Sequence, residues 1–227
     1  MDLEGKVVVI TGGFGQLGRA LTQHVLAHGA RAALLDVQAG EAPANSASWK
    51  VDLTSLADVT RTMNEVAGRF GRIDGLVNIA GGFRWQTLEA SEDVQEWSKL
   101  FSMNLQTCVN ASKAALPHLE KSGHGRVVNI GAMGAVKGAS GMGAYAASKA
   151  GVMRFTEALA DEVKLKDITV NAVLPSVIDT PQNRADMPKA NFDRWVKAGQ
   201  IAQVIGFLLS DASSAVTGAL IPVTGKT

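Results

Sequence analysis

The chain has 227 residues, 46% of them hydrophobic and 19% charged, with a formal net charge of +1. That balance fits one globular domain over 1–227 and excludes the electrostatic footprint of a nucleic-acid or acidic-membrane binder. A single cysteine, Cys108, excludes an internal disulfide framework. With no signal-like start and no apolar run near the roughly 18 residues that span a bilayer, a soluble, cytoplasmic protein is expected.

The run KVVVIT (6–11) has the continuous apolar centre of a strand buried on both faces. The turn GGFGQLG then opens a helix over 17–28, which Gly29 stops. Strands follow over 32–36 and 48–52, then a helix over 55–70 with Asp52 or Thr54 as its cap. Next come a strand over 75–79, a long helix over 92–120, a strand over 126–131, a helix over 144–164 and a strand over 168–174. The stretch 175–199, rich in Pro, Asn and Asp, reads as a mobile loop over the site. A helix over 201–209 and a strand over 219–223 complete the alternation. Apolar strands alternating with helices predict an α/β fold: a single-domain, Rossmann-type, doubly wound parallel sheet with helices on both faces.

Gly12, Gly13, Gly15 and Gly18 fall between the first strand and the first helix. There a backbone must approach a pyrophosphate, and a helix N-terminus stabilises its charge. The expected cofactor-binding residues of this turn are Gly12, Phe14, Gly15, Gln16, Leu17 and Gly18. Asp36 ends the second strand, where an acid accepts hydrogen bonds from both adenosine-ribose hydroxyls and repels a 2′-phosphate. The cofactor is therefore expected to be NAD(H) in preference to NADP(H).

The only tyrosine stands in Tyr145-Ala-Ala-Ser-Lys149. The i, i+4 spacing puts phenol and ammonium on one helix face, and a nearby positive charge favours phenolate. Lys149 is expected to lower the Tyr145 pKa and to hold the nicotinamide ribose, making Tyr145 a proton donor or acceptor.

Together these pieces resemble the short-chain dehydrogenase/reductase family over nearly the whole chain. The matches are TGGFGQLG (11–18), Asp36, Asp52-Leu53, Asn78-Ile-Ala-Gly81, Asn104, Tyr145-xxx-Lys149, Pro175-Ser-Val-Ile-Asp-Thr180 and Val216-Thr-Gly218. The resemblance implies that Asp52 and Leu53 face the adenine and that Asn78, Ala80 and Gly81 line the cofactor. It implies that Pro175, Ile178 and Thr180 contact the nicotinamide, and that Asn104 helps hold a water in a proton relay to Lys149. It also implies a small-molecule substrate and a homodimer or homotetramer through the helices near 92–120 and 144–164. Leu100, Met103, Val109, Leu116, Val152, Phe155, Leu159 and Val163 are the apolar residues expected there.

The sequence departs from the family pattern at three places. Gln16 stands where the middle glycine of the turn belongs, and Ser176 replaces the glycine after Pro175. The family's catalytic serine lies thirteen residues before the tyrosine, and here that residue is Ala132. Losing one such donor costs about 10²–10³ in rate where the chemistry needs it. One branch of the family, the dihydropteridine reductases, works without that serine. The sequence resembles it in GGFGQLG, Ala80-Gly-Gly-Phe83, Gly131-Ala-Met, Gly141-Met-Gly-Ala-Tyr145 and the stretch 174–195.

That resemblance implies hydride transfer from NADH to a planar, pterin-like imine or quinonoid. Phe83 and Trp85 would offer apolar faces to it, beside Ala132 and Met133. The alternatives are an alcohol or ketone dehydrogenase of the wider family, and a catalytically weak NAD-binding sensor or scaffold. No metal is expected: His24 and His28 have metal spacing but lack the Glu of HExxH. The sequon Asn110-Ala-Ser112 falls inside a predicted helix and is set aside.

Overall fold

The computed structural model describes residues 2–227. Its first half runs β1 (Val7–Thr11), α1 (Gln16–Ala27), β2 (Arg31–Asp36), β3 (Ser46–Lys50), α2 (Leu56–Phe70), β4 (Gly75–Asn78), α3 (Gln95–Phe101) and α4 (Thr107–Ser122). The second half runs β5 (Arg126–Ile130), α5 (Gly143–Val163), β6 (Thr169–Pro175), β7 (Ile178–Asp179), α6 (Pro181–Asp186), β8 (Val196–Lys197), α7 (Ala198–Leu209) and β9 (Leu220–Val223). Seven strands form one parallel sheet in the order β3-β2-β1-β4-β5-β6-β9.

Strand β1 shows why a continuous apolar run was needed. Val7 and Val9 face one core with Val59, Met63, Leu119 and Leu159, while Val8 and Ile10 face a second core with Leu21, Val25, Ile201 and Ile205. Both faces of the strand are therefore dry, as the expected two-sided layering requires. The chain leaves β1 for β2 on one side and returns to β4 on the other. This reversal opens a crevice at the carboxyl ends of β1 and β4, where open α/β sheets bind ligands. Among the described residues no helix is long and apolar enough to cross a membrane.

Four local expectations are corrected. The third strand lies at Ser46–Lys50, two residues earlier than predicted, because Asp36 pairs with Lys50 and the ladder ends there. This frees Asp52 and Leu53 to turn at the sheet's carboxyl edge. The cap of α2 is Ser55, whose Oγ accepts from the Asp58 N–H at 3.3 Å. Asp52 instead accepts from the Thr54 N–H and hydroxyl, which hold its carboxyl below the usual carboxylate range.

The single helix expected over 92–120 is interrupted by a π turn, Ser102–Gln106, closed by a bond from the Thr107 N–H to the Ser102 carbonyl. Such widened turns concentrate at functional sites. Finally, 175–199 is folded rather than loose. Thr180 caps α6, with Pro181 in its first turn, and Ile178 and Asp179 pair with Val196 and Lys197. Its prolines and asparagines act as caps and turn residues, and Trp195 is buried beneath it.

Candidate active site

The crevice is a groove of about 870 Å³. It is lined by Gly12, Phe14, Gly15, Gln16 and Leu17 from the turn, Asp36 from β2, Asp52 and Leu53 after β3, and Ala80 and Gly81 after β4. The turn owes its shape to glycine. Gly12 has a φ of 66°, and a Cβ there would lie 3.0 Å from the Ala80 nitrogen. A Cβ on Gly18 would overlap the Gly12 carbonyl, so Gly18 sets the seating of α1 on the turn and does not itself line the groove. Thr11 ties the turn to β4, its Oγ1 accepting from the Ile79 and Ala80 N–H groups at 3.0 and 3.1 Å.

Gly15 starts α1 without a side-chain cap, and no acid lies in the first turn. The free N–H groups and the positive end of the helix dipole thus face the groove. Gln16, the departure from the family turn, is exposed as the first helical residue, and the tight contacts of Gly12 and Gly18 persist beside it. Asp36 accepts from the Phe14 N–H and the Gln38 N–H, both at 3.1 Å. An ionised carboxylate has about four acceptor positions, so capacity for a ligand remains. An uncapped helix start, a turn too close for a Cβ and an acid at the groove wall together fit a dinucleotide.

Asn78 does not line this groove, contrary to the resemblance. Its Nδ2 donates to Asn129 Oδ1 at 2.9 Å and to Ser112 Oγ at 3.1 Å, because the register of β4 and β5 sets the two asparagines side by side. The pair, with Asn129 donating to Thr156 Oγ1 at 2.9 Å, braces α4 and α5 against the sheet. Pro175, Ile178 and Thr180 also stand outside the groove lining. Pro175 ends β6, Ile178 pairs with Val196, and the Thr180 hydroxyl is committed to capping α6.

Beyond Gly81 the groove meets α5. Tyr145 lies in the first turn of that helix and Lys149 one turn further along. The Lys149 ammonium is buried and donates to the Ile130 carbonyl at 2.7 Å. Burial pushes it down to about 8, against an opposing influence of the Cys108 thiol. Burial also pushes the Tyr145 phenol up to about 12. The expected lowering of the tyrosine by Lys149 is thus absent here. The spacing does share a face, but the ammonium is drawn to the end of β5.

Asn104 sits in the π turn, where its Oδ1 accepts from the Gly82 N–H at 2.8 Å and its Nδ2 reaches Ser148 Oγ at 2.9 Å. Ser148 in turn donates to the Tyr145 carbonyl at 2.8 Å, so Asn104 braces both the loop after β4 and the helix of Tyr145. Over the same end, Phe83 packs edge-on against Tyr145, ring centroids 4.9 Å apart. Trp85 lies on Gly141, and the Gln86 N–H bonds the Gly141 carbonyl at 2.9 Å. Phe83 and Trp85 nevertheless stay 57% and 59% exposed, presenting apolar surface. Ala132 is buried and extended at the end of β5, while Met133 half-covers a small core beside it.

Ser98, Lys99, Ser102, Met103 and Thr107 also line the groove and were missed in the sequence. They come from the interrupted helix, and only recognition of the π turn would have indicated which of its faces turns inward. Asn110 is buried, donating to the Leu53 and Thr54 carbonyls, so its sequon is structural. The His24 and His28 rings lie 4.3 Å apart, tilted by 40°, and no group of three metal-ligating side chains exists among the described residues.

The sequence profile of the short chain dehydrogenases matches residues 6–191. The chain belongs to that family. It is 33% identical to the 3-oxoacyl-(acyl-carrier-protein) reductase FabG of Escherichia coli (strain K12) over 240 residues, covering 99% of this chain and 98% of the relative. Among solved structures it superposes on an NAD+-bound xylitol dehydrogenase with a TM-score of 0.91, at 26% identity over 99% of this chain and all of the other. A 3-ketoacyl-(acyl-carrier-protein) reductase from Brucella melitensis complexed with NADH gives 0.88, at 26% identity over 99% and 98%. This short-chain dehydrogenase is an NAD(P)-dependent oxidoreductase with the family's single-domain fold.

Proposed function

We propose that this enzyme reduces a planar conjugated imine or quinonoid, of the pterin kind, with NADH, Tyr145 supplying the proton. Ala132 carries the reading. Where the family pattern has a serine hydroxyl, this chain has a buried methyl. Ser148 is spent on the Tyr145 carbonyl, and Ser140 is exposed in the preceding loop. A conjugated imine needs protonation more than carbonyl polarisation, so one donor suffices. Phe83 and Trp85 supply flat apolar faces beside Tyr145.

When bound, the dinucleotide supplies the hydride. The chain's own residues bind, orient and protonate. The α1 N-terminus and glycine turn hold the pyrophosphate, Asp36 the adenosine ribose, and Asp52 and Leu53 the adenine. Ala80 and Gly81 continue that wall to Lys149, which holds the second ribose and supplies positive charge. Tyr145 gives its proton to the substrate and is resupplied through Lys149. Asn104 supports that relay through the backbone of its widened turn, since its side chain is committed elsewhere.

A second reading is a carbonyl reductase, which the identity to 3-oxoacyl reductases favours. A panel of quinonoid dihydropterin, quinones, simple ketones and 3-oxoacyl thioesters, followed by NADH absorbance, separates the two. Wild type is expected to turn over the dihydropterin at least about tenfold better than the ketones. Ala132→Ser is expected to raise ketone reduction by up to about 10²-fold, the value of one regained donor. Ketone or thioester preference in wild type overturns the pterin reading. Tight NADH binding with no turnover across the panel supports a sensor or scaffold.

We also propose a homodimer or homotetramer. Leu100, Val152, Leu159 and Val163 are used in the chain's own core. Trp97 and Phe101, each 38% exposed, leave apolar surface on α3. Light scattering across a dilution series is expected to give a multiple of 23.7 kDa, and a stable 23.7-kDa species at micromolar concentration refutes assembly.

A further inference from the structure

Phe14 makes more contacts than a residue that merely lines a turn. Its N–H donates to Asp36 Oδ2 at 3.1 Å, and its carbonyl accepts from Arg19 Nε at 2.8 Å. Its ring lies against Gly40, where an added Cβ would come within 2.6–2.7 Å of three ring carbons. The Arg19 guanidinium stands 5.7 Å from the ring centroid. From the other side, Ser48 Oγ donates to the Gly40 carbonyl at 2.9 Å. Gly40 is thereby held between the ring and β3. Asp36, four residues earlier, is bonded at one oxygen by Phe14 and at the other by Gln38.

We propose that Phe14 is a specificity-determining residue, which fixes Asp36 and the 37–40 segment and occupies Arg19, so that a 2′-phosphorylated adenosine ribose is rejected. This rests on the reading that Asp36 holds that ribose. An acid alone discriminates only while it stays in place. A surface segment free to swing would move the carboxylate away and let a nearby guanidinium take the phosphate. Here both escapes are closed by one residue, through its ring and its backbone. The ring clamps the segment at Gly40, and the Phe14 carbonyl and ring engage Arg19. Lys99, a cation of the groove lining, is paired with Glu96 at 2.8 Å.

The test is calorimetric titration of NADH and NADPH into wild type, Phe14→Ala, Gly40→Ala, Asp36→Ala and Phe14→Ala/Arg19→Met, each checked for folding by circular dichroism. Wild type is expected to bind NADH at least about tenfold tighter than NADPH, a factor that 1.4 kcal/mol provides. Phe14→Ala is expected to cut that preference about tenfold, the affinity for NADPH rising relative to that for NADH. Gly40→Ala, whose methyl displaces the ring, is expected to move in the same direction. Adding Arg19→Met to Phe14→Ala is expected to cancel the gain for NADPH. An unchanged NADH preference in folded Phe14→Ala and Gly40→Ala overturns the proposal while leaving the role of Asp36 intact. Equal affinities in wild type, unaltered by Asp36→Ala, overturn the reading of Asp36 itself.

Discussion

Tyr145→Phe is expected to lower turnover by about 10²–10⁴, the usual value of a positioned general acid, while NADH affinity stays within about threefold. The separation follows from the geometry. The ring of Tyr145 packs against Phe83 and would be retained, and the helix brace runs through the Tyr145 carbonyl, not its phenol. Only the proton is lost. Burial keeps that phenol protonated to about 12, so the wild-type enzyme holds its proton ready across the whole neutral range. Steady-state NADH oxidation alongside fluorescence titration of NADH makes the comparison. Turnover retained within tenfold in the variant assigns proton donation to another group.

Lys149→Ala is expected to behave differently, costing about 10²-fold or more in kcat/KM and weakening NADH binding as well. Its pH signature is separate. The ammonium is pushed down to about 8 by burial, so it is charged at neutral pH and loses its proton as pH rises through that value. In the direction of NADH oxidation, kcat/KM should therefore fall above about pH 8, because that ratio reports ionisation in the free enzyme. Folding stability has the opposite trend. Between about 8 and the ordinary lysine value of 10.5 the unfolded chain holds a proton the folded chain has released, so this residue's contribution to stability rises with pH. A pH–rate profile flat through 8–10 refutes the assignment. Parallel denaturant melts read the stability change.

The fold was legible because its signal is repetitive. Runs such as VVVIT admit only a strand dry on both faces, and Gly12, Gly18 and Asp36 fall at positions where a turn and a strand end have few alternatives. Most of the residues expected between Gly12 and Gly81 accordingly line the groove, Gly18 and Asn78 excepted. What failed depended on contacts distant in the chain. The π turn at Ser102–Gln106 has no local sequence signature, since it forms where Asn104 meets Gly82 and Ser148. Asn78 was assigned to the cofactor through the family resemblance, whereas its partner is decided by the register of β4 on β5. The electrostatic partnership of Tyr145 and Lys149 was misjudged because spacing on a helix says nothing about a carbonyl at the end of another strand. The segment 175–199 looked loose because caps and loops use the same residues.

The weld of Thr11 to Ile79 and Ala80 also bears on how the molecule comes to exist. The groove is assembled from five stretches of chain, beginning at Gly12 and ending at Thr107, and each is delivered by a parallel strand or helix that must first find a remote neighbour. Parallel pairings of this separation form slowly, since the entropy of closing each long loop is lost before its contacts compensate. A nascent chain that has exposed only its first strands thus has a glycine turn but no binding site. The ligand can stabilise only the finished arrangement, by mass action on a late-forming surface. Binding competence is therefore a report on completed folding, acquired after most of the sheet has closed.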